Sequence, residues 1–385
     1  MTQFSNNDFL MMARAIQLAK FGQYTTAPNP NVGCVISDDQ GVVFGEGWHK
    51  KAGTPHAEIH ALKQAGEAAK GATAYVTLEP CSHFGRTPPC ADSLIAAGVS
   101  RVVAAMVDPN PLVSGNGLRK LQQAGIKTQQ GLLQTDAEQL NRGFIKRMRT
   151  GRPWVTVKLA ASLDGKTALE NGQSQWITGS QARQDVQRHR AKSCAILSGS
   201  GTVIADNPML NVRYAELNLS KDKLAQQDLR QPLRVLLDGR NQLPSSLKCL
   251  QSTENNVAGK VLLINGRRSE HQFEKHVSQW QAPFKGNKLD LEKVMDKLGE
   301  MQLNQIWVEA GAKLAGALLQ NKLIDELILY QAPKLIGSAG QNLFDTVPIE
   351  TMQDVTDLCW KDIRQVGNDL KMTAVFANEH INEAN

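Results

Sequence analysis

His56, Glu58, Cys81 and Cys90 bring one imidazole, one carboxylate and two thiols into a short stretch of a 385-residue chain. Zinc favours tetrahedral nitrogen and sulfur ligation, and a catalytic zinc keeps one position open for water. His56, Cys81 and Cys90 supply three ligands and leave that position. With both thiols ionised their charge cancels that of the ion, and water held there would be acidified toward neutrality. Glu58 is cast as the proton shuttle, taking a proton from water and passing it to a ring nitrogen and a leaving amine. The layout approaches the H-x-E and P-C-x-x-C signature of nucleobase deaminases. It departs from it in one respect: eight residues, 82–89, separate the cysteines where the signature has two. An H-x-E alone is a weak signal, but joined to a strand ending in Glu79-Pro80-Cys81 and a cysteine opening a helix it is a specific one. Side chains two apart sit on different faces of a helix. His56 and Glu58 can therefore share a site only from a first turn seen end-on, and Pro55 suits such a start.

A second place for chemistry is the run Gly311-Ala312-Lys313-Leu314-Ala315-Gly316-Ala317, which follows an apolar strand at 306–310. A glycine turn between strand and helix lets backbone amides approach a phosphate at the helix N-terminus. The spacing is not G-x-G-x-x-G, so it is not a Rossmann fingerprint. On its own it is no more than a tight connection.

Periodicity shows what must hold these groups. Asn6, Asn7 or Asp8 caps a helix whose apolar positions are Phe9, Leu10, Met12, Ala13, Ile16 and Leu18. Strands are expected at 32–36, 42–45, 74–78, 102–107 and 126–130, and helices at 56–68, 90–97, 118–124 and 136–148. This alternation argues a layered α/β domain. The breaker cluster Thr150-Gly151-Arg152-Pro153 ends it, giving domains at 1–150 and 151–385. In the second domain, strands are expected at 154–161, 195–198, 234–238, 261–265, 306–310 and 327–330. Its helices are expected at 180–191, 289–300 and 312–320, with polar loops at 214–231 and 250–259.

Composition narrows the class. Hydrophobic residues make 41% of the chain and charged residues 21%, a globular mixture. No apolar run is long enough to span a membrane. The first residues carry neither a basic nor an apolar leader region, so no signal peptide is expected. Six cysteines are scattered too widely for a disulfide framework, which points to a reducing cytoplasm. Cys34, Cys194, Cys249 and Cys359 have no partner at ligand spacing and are expected as small core residues. The net charge of +6 raises nucleic acid as a partner. However, Arg142, Lys146, Arg147 and Arg149 form one small cluster and the rest of the chain is nearly balanced, so no nucleic-acid partner is expected.

His56-Ala57-Glu58, Thr77-Leu78-Glu79-Pro80-Cys81-Ser82-His83, Pro88-Pro89-Cys90, Asp108-Pro109-Asn110-Pro111 and Pro28-Asn29-Pro30-Asn31-Val32-Gly33 resemble the deaminase half of the bifunctional riboflavin-biosynthesis family. The long gap between cysteines, odd for deaminases in general, is a feature of that family. The resemblance implies a cytidine-deaminase-like three-layer α/β/α domain. It implies that Asn29 hydrogen-bonds the pyrimidine and that His49, His83 and Arg86 hold the substrate or its phosphate.

Lys158-Leu159-Ala160-Ala161-Ser162-Leu163-Asp164-Gly165, Ser174-Gln175-Trp176-Ile177-Thr178, Thr202-Val203-Ile204-Ala205-Asp206-Asn207-Pro208, Val308-Glu309-Ala310-Gly311 and Ala332-Pro333-Lys334-Leu335-Ile336-Gly337 resemble the reductase half of the same family. This implies a dihydrofolate-reductase-like α/β domain that binds NADPH. Carried over, Ala160, Trp176, Thr202, Asp206, Gly311, Ala312, Lys313, Leu314, Ala315, Gly316 and Ala317 would contact the cofactor. Ser174, Arg190, Leu210, Arg213 and Glu309 would contact the substrate, with the two arginines suited to a 5′-phosphate. Lys158 and Asp206 would stand nearest the ribose carbon being reduced. Which side chain reads the 2′-phosphate of NADPH is open.

The resemblance therefore implies a bifunctional enzyme that forms homo-oligomers. A zinc deaminase would act on a diaminopyrimidinone carrying a ribosylamino 5′-phosphate. An NADPH-dependent reductase would then convert its ribosyl group to ribityl. Two other readings compete: a nucleic-acid deaminase of the tRNA adenosine type fused to an unrelated module, and a non-catalytic zinc-stabilised binding protein. The first predicts salt-sensitive RNA binding; the second predicts no effect of Glu58→Gln.

Overall fold

The structure is a computed structural model and describes residues 4–82, 89–111, 113–220, 224–252 and 259–377. The chain divides into two compact units, Met1–Arg152 with Ser220–Leu229, and Pro153–Leu219 with Arg230–Asn385.

The first unit runs α1 (Asn6–Ala19), β1 (Gly33–Ser37), β2 (Val43–Trp48), α2 (Ala57–Ala65), β3 (Thr73–Val76), α3 (Cys90–Ala96), β4 (Arg101–Ala104), α4 (Asn116–Gln123), β5 (Lys127–Gln130) and α5 (Gln134–Thr150). The cap of α1 is Ser5, one residue earlier than expected. Its hydroxyl accepts from the Asp8 N–H and the Asp8 carboxylate accepts from the Ser5 N–H, a reciprocal capping box. The five strands lie in the order β2-β1-β3-β4-β5, antiparallel across β2-β1-β3 and parallel across β3-β4-β5. Side-chain alternation splits the sheet into two cores. Cys34, Ile36, Ala74, Val76, Val102 and Ala104 pack with Ala57, Ala61, Leu94 and Leu121 of α2, α3 and α4. Val35, Tyr75 and Val103 pack with Met12, Ile16, Ala137 and Ile145 of α1 and α5. Helices thus cover both faces of the sheet.

Helix α2, which carries Glu58, lies flush on β2. A Cβ at Gly45 would come within 2.1 Å of the Ala61 carbonyl oxygen, and one at Gly47 within 2.3 Å of that of Ala57. Only glycine at these two strand positions admits the helix at this height.

The second unit contains β6 (Trp154–Ser162), β7 (Lys166–Ala168), α6 (Ser180–Lys192), β8 (Ala195–Gly199), α7 (Ser200–Asp206), β9 (Leu233–Leu237), β10 (Val261–Asn265) and β11 (Val277–Gln281). There follow the short hairpin β12 (Phe284–Lys285) and β13 (Lys288–Leu289), then α8 (Leu291–Glu300), β14 (Gln305–Glu309), α9 (Ala312–Gln320), β15 (Glu326–Ala332), β16 (Gln341–Asn342), β17 (Leu358–Val366) and β18 (Asp369–Phe376). Nine strands form one sheet, β11-β10-β9-β8-β14-β6-β15-β18-β17, parallel from β11 to β15 and antiparallel at β18 and β17. Helices α8 and α9 cover one face, and α6 and α7 the other. In such sheets ligands bind beyond the carboxyl ends of the parallel strands, and β6 and the segments that follow β8 and β14 bear most of the residues singled out above.

The β17–β18 ribbon was not expected from the sequence. Strand β17 is exposed along nearly its whole length, with Trp360 at 57% and Ile363 at 54%. A strand with no buried face has no alternation to read. Cys359 lies on it and is exposed, contrary to expectation, whereas Cys34, Cys194 and Cys249 are buried. No helix among the described residues is long and apolar enough to cross a membrane.

Candidate functional site

His56 is the N-cap of α2, with extended backbone (φ −75°, ψ 170°), and Glu58 lies in its first turn. The imidazole leaves the helix before the helical twist begins, and this lets residues two apart face one point. Cys81 follows β3, and Cys90 opens α3. The Nδ1 of His56 is 3.6 Å from Cys81 Sγ and 3.3 Å from Cys90 Sγ, and all three donor atoms lie within 4.8 Å of one another. A tetrahedral zinc with ordinary Zn–N and Zn–S lengths requires ligand atoms about 3.6 Å apart. The donor set therefore fits the ion in chemistry and in spacing. The hydrogen bond between the two thiols lowers the pKa of Cys81 and, with burial, raises that of Cys90. Glu58 is 3% exposed, and burial pushes its carboxyl up to about 7 against the pull of His56.

Asn29 and His49 meet beside this group. The His49 ring stands edge-on to His56, centroids 5.2 Å apart. Its Nδ1 is 3.2 Å from the Pro55 carbonyl oxygen, to which it donates, so Nε2 is left as an acceptor for the Asn29 amide at 3.1 Å. That arrangement leaves Asn29 Oδ1 available as an acceptor. The loop carrying Asn29 is pinned by Asn141, whose Oδ1 accepts from the Asn31 N–H at 2.7 Å and whose Nδ2 donates to the Asn31 carbonyl at 2.9 Å. His83 and Arg86 lie outside the described residues.

Glu79, in the motif that ends in Cys81, has a structural part of its own. It is buried, and its carboxylate accepts four backbone N–H bonds, from Asp108, Gly115, Gly117 and Leu118 at 2.8–3.2 Å. It ties the strand end that delivers Cys81 to the loop preceding α4. A buried glutamate between apolar Leu78 and a proline was the available signal. Glu79→Gln turns an amide toward two of those donors. With about 1–3 kcal/mol for each buried group left unsatisfied, the first unit should lose about 2–6 kcal/mol in urea unfolding. An unchanged midpoint would show that the four bonds carry no net stability.

In the second unit a cleft of about 2070 Å³ opens at the carboxyl ends of the parallel strands. Single-ligand pockets are commonly about 300–1,000 Å³, so there is room for a dinucleotide and a substrate together. Lys158, Ala160, Ser174, Trp176, Arg190, Thr202, Asp206, Leu210, Arg213, Glu309, Gly311, Ala312, Lys313, Leu314 and Ala317 line it. Ala315 and Gly316 do not: helical periodicity turns Ala315 into the core, and Gly316 packs on the Asp345 backbone. Helix α9 begins in the cleft with Gly311 as N-cap and no side-chain cap, and the Gly311 N–H donates to Thr202 Oγ1 at 3.1 Å. The next N–H groups of the helix are thus open to an anion, which suits a diphosphate.

The two arginines assigned to a phosphate are both in ion pairs. Arg190 grips Glu309 in bidentate fashion, Nε to Oε1 at 2.6 Å and Nη2 to Oε2 at 2.8 Å, and also donates to the Asn211 carbonyl. Burial works to raise the Glu309 carboxyl, but Arg190 outweighs it and holds it at about 2. Trp307, which the sequence reading passed over, donates from Nε1 to Glu309 Oε1 at 2.9 Å. The exposed Arg213 pairs with the half-buried Glu216. Trp176 is 63% exposed and stacks under the Arg183 guanidinium at 4.5 Å.

Residues 5–106 match the cytidine and deoxycytidylate deaminase zinc-binding region, and residues 153–372 match the RibD C-terminal domain. The riboflavin biosynthesis protein RibD of Escherichia coli (strain K12) is 53% identical over 371 residues, 96% of this chain and 100% of the relative. The structure of Acinetobacter baumannii RibD, form 1, superposes with a TM-score of 0.86 at 44% identity, covering 96% of this chain and 99% of that one. A diaminohydroxyphosphoribosylaminopyrimidine deaminase/5-amino-6-(5-phosphoribosylamino)uracil reductase from Thermotoga maritima superposes with a TM-score of 0.83 at 31% identity, covering 96% and 99%.

Proposed function

This chain belongs to the RibD family of riboflavin-biosynthesis proteins, and from that premise we propose which residues carry out each of its two reactions. It is a bifunctional deaminase and reductase whose cofactors are zinc and NADPH. The deaminase occupies residues 1–150 and converts the diaminohydroxyphosphoribosylaminopyrimidine to 5-amino-6-(5-phosphoribosylamino)uracil, releasing ammonia. The reductase occupies residues 151–385 and reduces the ribosyl group of that product to ribityl. The observation that carries the reading is the convergence of His56, Cys81 and Cys90 on one point, with Glu58 buried beside them. The alternative of a nucleic-acid deaminase with an unrelated second module falls, because residues 153–372 match this family's own reductase domain.

His56, Cys81 and Cys90 would hold the zinc, which when bound would supply an acidified water as nucleophile. Glu58 relays two protons in turn, one to the ring nitrogen and a second to the departing amine, the two that the adding water gives up. Asn29, oriented by His49, holds the pyrimidine edge. In the second unit NADPH supplies the hydride, and Ala160, Trp176, Thr202 and the start of α9 hold it. Lys158, with Asp206 beside it, donates the proton that balances the hydride. Glu309 and Ser174 hold the substrate, with Leu210 forming the wall, and Arg190 fixes Glu309. Arg213 leaves Glu216 for the 5′-phosphate, an exchange of one anion for a more highly charged one.

Purified protein given zinc, NADPH and the diamino compound should release ammonia and oxidise NADPH in equal amounts, ending in the ribitylaminouracil phosphate. Ammonia without NADPH oxidation would leave only the deaminase standing. The exposed β17 edge, with Trp360 and Ile363 on it, supports a homo-oligomer in which two copies pair through that strand. Sedimentation of the same preparation as a monomer would exclude this. Six free cysteines support a cytoplasmic location, which cell fractionation by activity would test.

A further inference from the structure

Arg213 reaches the cleft of the second unit from a segment with no regular structure. Residues 207–213 lie between α7 and a short 3-10 turn, Tyr214–Glu216, and form neither helix nor strand. Val212 within the segment is 2% exposed, and Leu210 has a left-handed backbone (φ 50°). Buried backbone N–H and C=O groups must find partners, and here no neighbouring strand supplies them.

Side chains supply them instead. Gln231 takes both groups of Val212: its Oε1 accepts from the Val212 N–H at 2.8 Å, and its Nε2 donates to the Val212 carbonyl at 2.9 Å. A carboxamide carries an acceptor and a donor side by side, so Gln231 does for Val212 what an adjacent strand would do. Pro232 follows it, and the residue before a proline is restricted to extended backbone. Gln187, 2% exposed on α6, accepts from the Arg213 N–H at 3.0 Å through Oε1. Two more residues of α6 extend this hold. Arg190 donates to the Asn211 carbonyl at 2.9 Å, and Arg188 donates from Nε to the Leu217 carbonyl at 3.0 Å. The backbone is therefore fixed on both sides of the turn that bears Arg213 and Glu216.

The Arg213 guanidinium is held differently. Its ion-pair partner is Glu216, three residues on, and the two side chains are 48% and 35% exposed. Both line the cleft. An ion pair open to solvent to this degree contributes little, so exchanging Glu216 for a phosphate costs little. A loop that had to become ordered on binding would instead subtract that cost from affinity. The segment thus combines a preset backbone with an exchangeable side chain.

We propose that Gln231 and Gln187 are positioning residues of the reductase. By fixing the backbone of Val212 and Arg213 they preset the guanidinium for the substrate's 5′-phosphate, and so set the preference for phosphorylated over dephosphorylated substrate. The proposal rests on the reading of Arg213 given above.

The preference is measured on the full-length enzyme at saturating NADPH. It is the ratio of reductase kcat/KM for the deaminated intermediate to that for the same compound without its 5′-phosphate. Q231L should lower this ratio about 10-fold, within the worth of the two hydrogen bonds it removes. The loss should fall on KM for the phosphorylated substrate. Its kcat, the kinetics of the dephosphorylated compound and NADPH affinity should stay as in the wild type. Q187L removes one bond and should act in the same direction by less. In an R213A background neither substitution should lower the ratio further, because both act through Arg213. General loosening of the fold would slow both substrates and weaken NADPH. Should Q231L fail to fold, Q187L decides alone. Equal loss on both substrates, a fall in kcat, an undiminished effect in the R213A background, or no effect at all overturns the proposal while the role of Arg213 stands. An R213A enzyme that keeps the wild-type ratio overturns the phosphate reading of Arg213 and the proposal with it.

Discussion

Glu58→Gln is expected to lower ammonia release by about 10²–10⁴-fold, the range for a positioned general acid–base group, while NADPH oxidation on the deaminated intermediate continues. The substitution conserves volume and leaves His56, Cys81 and Cys90 in place, so zinc content should be unchanged. It removes the one buried carboxyl that can both accept and return a proton at this point. Burial pushes that carboxyl up to about 7, the direction that suits a group which must both accept and return a proton. Because Glu58 is 3% exposed, bulk water has poor access to replace it. Retention of ammonia release in a zinc-replete E58Q protein would sink the assignment of the shuttle. Loss of zinc together with activity would mean instead that Glu58 supports the ligand set.

Lys158→Met is expected to do the complementary thing. It should lower NADPH oxidation by about 10²–10⁴-fold and leave both NADPH affinity and ammonia release intact. Lys158 lies on β6 in register with Glu309 on β14 and Ile328 on β15, with its side chain in the cleft. Burial lowers its pKa below the usual 10.5, and Arg190 adds to this against Glu309 and Asp206. A donor must hold its proton, so the rate should fall as pH rises through the lowered pKa, below the range of a free lysine. Methionine fills the same space without a proton. A reductase rate within a few-fold of wild type would remove Lys158 from the chemistry, and a loss of NADPH binding would assign it to the cofactor instead.

Much of both sites was legible in the sequence, and the reasons differ. Zinc ligation restricts residue type severely, so His56, Cys81 and Cys90 stand out of a chain with few histidines and cysteines. The two-residue offset from His56 to Glu58 forced a helix start at that point, and the N-cap at His56 is that start. Buried strands with alternating faces in the first unit, and continuously apolar ones in the second, were equally plain. Strand β17 was not, because a strand exposed on both faces has no pattern. Glu79 and Asn141 were missed as positioning groups because each acts on a partner far away in the chain, Glu79 on Gly117 and Asn141 on Asn31; Trp307 was missed because its bond to Glu309 is made by an indole on a strand that reads only as apolar.

By itself the sequence determined the chemistry available: which groups can ligate a metal, carry a proton or approach a phosphate. Those are properties of side chains and of short-range backbone. Only the tertiary structure decided which of these groups are free to act. It committed Arg190 to Glu309. It turned Ala315 and Gly316 away from the cleft that their neighbours line. It engaged Gln231 and Gln187 on the backbone of Val212 and Arg213, leaving the Arg213 guanidinium to face the cleft. Each of these outcomes depends on hydrogen bonds and burial that residue type alone does not fix, and a side chain engaged in this way has less hydrogen-bonding capacity left for a ligand.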